Sequence, residues 1–145
     1  MKDTGYDHND GSLAIGNTGI LWTEADYIDM TVPFAAGGLY STVEDLYRWD
    51  QALYTEQLVP QDLLDVMFTP HAKMLDTGLS YGYGWYISEM NNHNVVGHDN
   101  RIEGFITEIR HYIDDKVTII VISNRDSTGV GNIANLIAQA VFEKQ

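Results

Sequence analysis

The sequence has no cysteine, three prolines and only eight Lys and Arg against twenty-one Asp and Glu. Without cysteine there is no disulfide framework, no thiolate nucleophile and no Cys-based metal site. A formal charge of −13 disfavours nucleic acid or an anionic membrane surface as a partner. No apolar run approaches the ~18 residues of a membrane-spanning helix. The opening "MKDTGYDHNDGS" lacks an apolar stretch, so no signal peptide is expected at this end. Internal repeats and low-complexity linkers are absent too.

What remains is ordinary globular composition: 44% hydrophobic and 20% charged residues, with nine Tyr, four Phe and three Trp to fill a core. Residues 1–34 are rich in turn formers, and a domain rarely begins with a loop of about this length. "DHNDG" (7–11) lacks the alternating acids and closing Glu of a calcium loop and reads as a turn. A helix is expected at "YSTVEDLYRWDQALY". Ser41 and Glu44 have capping-box spacing, and Val43, Leu46, Trp49 and Leu53 share a face. "VPQDLLDVMFTP" reads as a second helix with Pro60 in its first turn and Pro70 past its end.

After Gly78 the pattern becomes β. "YGYGWYI" (81–87) alternates, "NNHN" (91–94) reads as a turn and "VVGH" (95–98) as a short strand. "FITEIRHYI" (105–113) puts Phe105, Thr107, Ile109, His111 and Ile113 on one side. Beyond "DDK", the run "VTIIVIS" (117–123) suits a central strand covered on both faces. Ile133, Leu136, Ile137, Ala140 and Val141 then form the stripe expected of a packed helix. The second half therefore predicts an antiparallel meander closed by a helix.

Chemistry is sparse. No histidine pair has metal-ligand spacing, and "STGVGN" has no Lys and is not a phosphate loop. No G-x-S-x-G or S-x-x-K occurs. The polar knot His98-Asp99-Asn100-Arg101 is the one candidate site. Local chemistry alone favours a surface turn, with Asp99 and Asn100 as turn formers. The alternative is a histidine facing a cleft.

"PFAAGGLYSTVEDLYRWDQALY", "YGYGWYI", "GHDNRIEGF" and the strands running to "VISNRD" resemble, in order and spacing, the C-terminal part of the serine β-lactamase-like proteins. These include class C β-lactamases, D-Ala-D-Ala carboxypeptidases and related esterases. The resemblance implies an α+β fold: an antiparallel sheet with a packed C-terminal helix, its N-terminal part lying outside this sequence. It divides the chain into a loop-rich and helical segment (1–77) and the strands plus terminal helix (78–145), together one incomplete domain. The family's acyl-enzyme chemistry uses S-x-x-K, Y-x-N and K-T-G or H-x-G, and this chain matches only the third, at His98-Asp99-Asn100.

By the same resemblance His98 contacts substrate or moves a proton, and the Arg101 backbone N–H is half of an oxyanion hole. Asp99 and Asn100 border the substrate, although Asn100 replaces a glycine and narrows the approach. The alternative is a non-catalytic module for oligomerisation or peptidoglycan binding. No cofactor is implied, and family members often work outside the cytoplasm. The Val117–Ser123 strand is expected to pair with the missing N-terminal segment or with a second copy, and one sheet face to lack its helices.

Overall fold

In a computed structural model, residues 1–6 and 13–143 are described; the turn read at "DHNDG" lies outside them. The first third forms small pieces. Strands β1 (Gly5–Tyr6) and β4 (Leu39–Tyr40) pair with each other, as do β2 (Asn17–Thr18) and β3 (Thr23–Glu24). A short 3-10 turn spans Phe34–Ala36. Asn17 bridges to Arg125, which ties this region to the far end of the chain.

Helix α1 (Val43–Leu53) begins one residue later than the capping-box spacing suggests. The Thr42 hydroxyl accepts from the Asp45 N–H, while Ser41 is engaged with the Thr4 hydroxyl at 2.7 Å. The inner face also differs from the apolar stripe. Val43 is exposed, and Asp45 and Asp50 are fully buried beside Leu53. Burial acts to raise the Asp45 carboxyl. The Asp3 backbone N–H, Arg48 and the Thr4 hydroxyl outweigh it and hold the group below its ordinary value. Helix α2 (Gln61–Met67) follows, with Pro60 at its N-cap rather than inside its first turn.

The remaining strands are β5 (Ala72–Lys73), β6 (Ser80–Tyr81), β7 (Tyr86–Met90), β8 (His93–Ile102), β9 (Phe105–Tyr112) and β10 (Val117–Ser123). They form one antiparallel sheet in plain sequence order, and helix α3 (Val130–Phe142) closes the chain. The expected meander and closing helix are present, with four differences.

"YGYGWYI" is broken at Gly82–Trp85, a turn closed by the Gly82 N–H to the Trp85 carbonyl, and a Cβ at Gly82 would meet the Met67 carbonyl oxygen at 2.2 Å. The turn at 91–94 shrinks to Asn91-Asn92, both at positive φ, as a two-residue hairpin requires. His93 and Asn94 are therefore already in β8, and the polar knot 98–101 is strand, not turn. Third, β10 is an edge strand. Its apolar run reflects helices on both faces, since α1 and α3 both pack on it.

Fourth, α3 is turned away from its predicted stripe. Val130, Ala134 and Ala138 are buried, whereas Leu136 is 66% exposed and Ile133 and Ile137 are each 39% exposed. Small residues let the helix approach the sheet closely, and periodicity alone does not say which apolar face does so. Neither sheet face lacks a helix. Exposed apolar side chains lie instead on the outer side of α3 and around residues 20–22 and 32–39.

Two cores result. Val95, Tyr112, Ile119, Ala134 and Ala138 fill the α3 side. Leu53, Leu64, Trp85 and Val96 fill the side of α1 and α2, where Trp85 stacks on Trp49 at 5.8 Å and meets Phe68 edge-on. Asp50 crosses this second core. Its carboxylate accepts from His111 Nδ1 (2.7 Å), Thr118 (2.5 Å) and Gln51 (3.1 Å).

Candidate active site

The site is built on a mismatch of strand lengths. β7 pairs only with His93–Gly97, its Tyr86 lying opposite Gly97, whereas β8 runs on to Ile102 against β9. Among the described residues, 98–102 thus have a strand neighbour on one side only. The Glu103-Gly104 turn makes Ile102 and Phe105 a hydrogen-bonded pair. By antiparallel alternation, His98 and Asn100 direct their main-chain groups to β9, and Asp99 and Arg101 direct theirs to the open side. Gly104 is required at this turn. It has φ +74, and a Cβ there would lie 2.6 Å from that of Ala25.

Side chains alternate the other way. Asn100 and Ile102 face the Pro33–Gly37 turn, where a Cβ on Gly37 would lie 3.7 Å from Asn100 Nδ2 and from Ile102 Cδ1. Asp99 instead lines an open cleft of about 400 Å³ with Glu108 and the 128–132 segment that begins α3. Arg101 points to the same side, its Nη2 3.7 Å from Asp126, which accepts from the Thr18 hydroxyl at 2.8 Å. The four residues of the polar knot therefore do not converge as side chains. What gathers at the open edge is the His98 ring and the outward main chain of Asp99 and Arg101.

His98 is half-buried, with Nε2 3.2 Å from the Tyr81 hydroxyl and its ring stacked on Tyr86 at 5.1 Å and 21°. Tyr81 and Tyr86 meet edge-on at 5.0 Å. Burial, and after it the Asp99 carboxylate, push the Tyr86 phenol up. Both tyrosines read as core filling in the sequence. The available signal was the pair of glycines at 82 and 84: a chain that turns there puts phenol hydroxyls at the sheet margin, where they need polar partners.

Among the described residues no group of three or more His, Cys, Asp or Glu is arranged to hold a metal ion. No described helix is long and apolar enough to cross a membrane.

A sequence model of the family described as Beta-lactamase matches residues 1–142. The chain belongs to the beta-lactamase family. A penicillin-binding protein of Bacillus subtilis (strain 168) is 30% identical over 91 residues, covering 62% of this chain and 20% of that protein. A second, putative penicillin-binding protein of the same organism is 29% identical over 126 residues, covering 84% of this chain and 29% of its own. The chain thus spans less than a third of either relative's length. The octameric penicillin-binding protein homologue from Pyrococcus abyssi shares the fold, with TM-score 0.84 and 21% identity over 99% of this chain and 34% of that one. A beta-lactamase-family sheet therefore carries the open edge of β8.

Proposed function

We propose that this chain supplies one wall of the active site of a serine hydrolase. The complete protein acts on β-lactam, peptidyl-D-Ala or ester substrates through an acyl-enzyme. The observation that carries the reading is the open stretch of β8, where His98 stands beside main-chain groups directed outward. The Arg101 N–H is placed to donate to an oxyanion as charge develops on it. His98 binds an acceptor on the substrate or moves a proton. Asp99 and Asn100 border the substrate, with Asn100 held against the Pro33–Gly37 turn where a glycine would leave more room. The nucleophilic serine and its lysine come from residues outside this sequence, so the chain and its two segments (1–77 and 78–145) amount to one incomplete domain.

The test uses the parent reading frame, with this chain joined to its upstream residues. It should acylate with a fluorescent penicillin or an activated ester, and His98→Ala should slow acylation by about 100-fold, the low end for a proton-transfer group. An unchanged rate would remove His98 from the site. A parent without an upstream S-x-x-K would remove the hydrolase reading itself.

One observation favours a second role, as an association module. Among the described residues β10 has a strand partner on one side only, and the outer side of α3 presents Ile133, Leu136 and Ile137. We expect the isolated chain to pair through Val117–Ser123 with a second copy or with the missing segment in trans. Light scattering at ~100 μM should give at least twice the monomer mass, since even ~1,000 Å² of buried apolar surface contributes roughly 25 kcal/mol before opposing costs. A monodisperse monomer that binds no hydrophobic dye would refute it.

A further inference from the structure

We infer that Tyr81 is a positioning residue for His98: its hydroxyl donates to Nε2, which places the neutral ring's proton on Nδ1, the nitrogen with no hydrogen bond among the described residues. The inference rests on reading His98 as a substrate-facing residue, yet it concerns a proton that can be located without any turnover.

The geometry around the ring is tightly constrained. The Gly82–Trp85 turn folds β6 back on β7, with the Gly82 N–H donating to the Trp85 carbonyl at 2.8 Å. A side chain at Gly82 is excluded by the Met67 carbonyl, so this turn cannot shift to suit another residue. Tyr81 is thereby fixed opposite Tyr86 in register. Tyr86 then lies flat against His98 and sets its ring plane, while Tyr81 meets the same ring edge-on with centroids 6.3 Å apart. Cross-strand from His98 stands Ile109, which is apolar. Of the ring's two nitrogens, Nε2 has the Tyr81 hydroxyl at 3.2 Å, and Nδ1 makes no hydrogen bond among the described residues.

The direction of the Tyr81 bond follows from acidity. A phenol conjugates its oxygen lone pair into the ring, so it donates better than it accepts. The unprotonated nitrogen of a neutral imidazole is a strong acceptor, and only one of the two ring nitrogens is free to accept. An unconstrained neutral histidine prefers the proton on Nε2. Tyr81 reverses that preference. The chemical result is that neutral His98 presents an N–H donor at Nδ1. It suits a substrate that presents a carboxylate or carbonyl oxygen there, rather than a hydroxyl to be deprotonated.

The test is long-range proton–nitrogen NMR of the His98 ring in this chain, above the pH at which imidazole is protonated. The wild type should show a protonated Nδ1 and a bare Nε2. Tyr81→Phe, which removes one oxygen, should invert the populations toward Nε2–H. Tyr86→Leu, which removes the stacking ring and leaves the hydroxyl, should retain Nδ1–H. A wild-type ring protonated on Nε2, or a ring indifferent to Tyr81→Phe, overturns the inference. Should Tyr81→Phe not fold, the wild-type spectrum alone decides. A parent protein that never acylates would sink the hydrolase reading while leaving this tautomer assignment standing.

Discussion

Incubated with a fluorescent penicillin or a fluorophosphonate, the isolated chain stays unlabelled at every serine. An acylated serine needs a base within hydrogen-bond reach, because its hydroxyl is a poor nucleophile when protonated. Ser41 shares its proton with the Thr4 hydroxyl, Ser123 pairs with Thr128, and Ser127 donates to the Gly19 carbonyl. None of these partners is a base near neutral pH. Ser80 is the serine to watch, since Lys73 lies directly opposite it in the β5–β6 register. No hydrogen bond joins the two among the described residues, and exposed Lys73 keeps its ammonium in water. The expected result is no covalent adduct in intact-mass spectra. A single adduct, mapped to any serine by peptide sequencing, would show that the chain needs no outside nucleophile.

Asp50→Ala should unfold the chain more readily than any surface change. The carboxylate is fully buried and binds His111 on β9 and Thr118 on β10, so it fastens α1 to the last two strands. Removing it leaves the buried His111 N–H without its carboxylate acceptor and takes the same acceptor from the half-buried Thr118 hydroxyl. Leaving a buried donor without its acceptor costs about 1–3 kcal/mol, a sizeable share of the ~5–15 kcal/mol that holds a domain together. The measurement is the urea midpoint, with Asp50→Asn as the companion variant that keeps volume and one acceptor oxygen. We expect the Asn variant to fall between wild type and Ala. An Ala variant within about 0.5 kcal/mol of wild type would show that the cluster is not a structural fastening. Neighbouring Tyr54 reports on the same change. Its phenol is pushed up to about 12, first by burial and then by the Asp50 charge, while the Thr118 hydroxyl beside it acts in the opposite direction.

The sequence made the strands legible wherever alternation was strong, as in Phe105–Tyr112, and it made the closing helix legible by its length. It misjudged matters that depend on a neighbour. Ser41 and Thr42 are both good caps by composition, and Thr4, 37 residues before Ser41, engages the first of them. Ile133, Leu136 and Ile137 make the stronger apolar stripe of α3, but a helix lies closest to a sheet through small residues such as Ala134 and Ala138. The candidate site was legible only by position. His98 and Arg101 stood out in the family's order, whereas the strand extension that exposes their edge appears only once β7 is seen to end opposite Gly97. Tyr81 and Tyr86 were hidden because an aromatic–glycine run serves a core and a site margin alike.

The sheet's sequential strand order bears on how the molecule assembles. Every neighbour in β5–β10 is the next strand along the chain, joined by short turns, so each pairing closes a small loop. Such local contacts cost little chain entropy and form early, whereas pairings between distant segments come late. The Asp50–Thr118 bond, with partners 68 residues apart, belongs to the late group. The wall formed by β8 would assemble quickly once β5–β10 are free to pair. The slow event would be the docking of α1 onto a meander that is already in register.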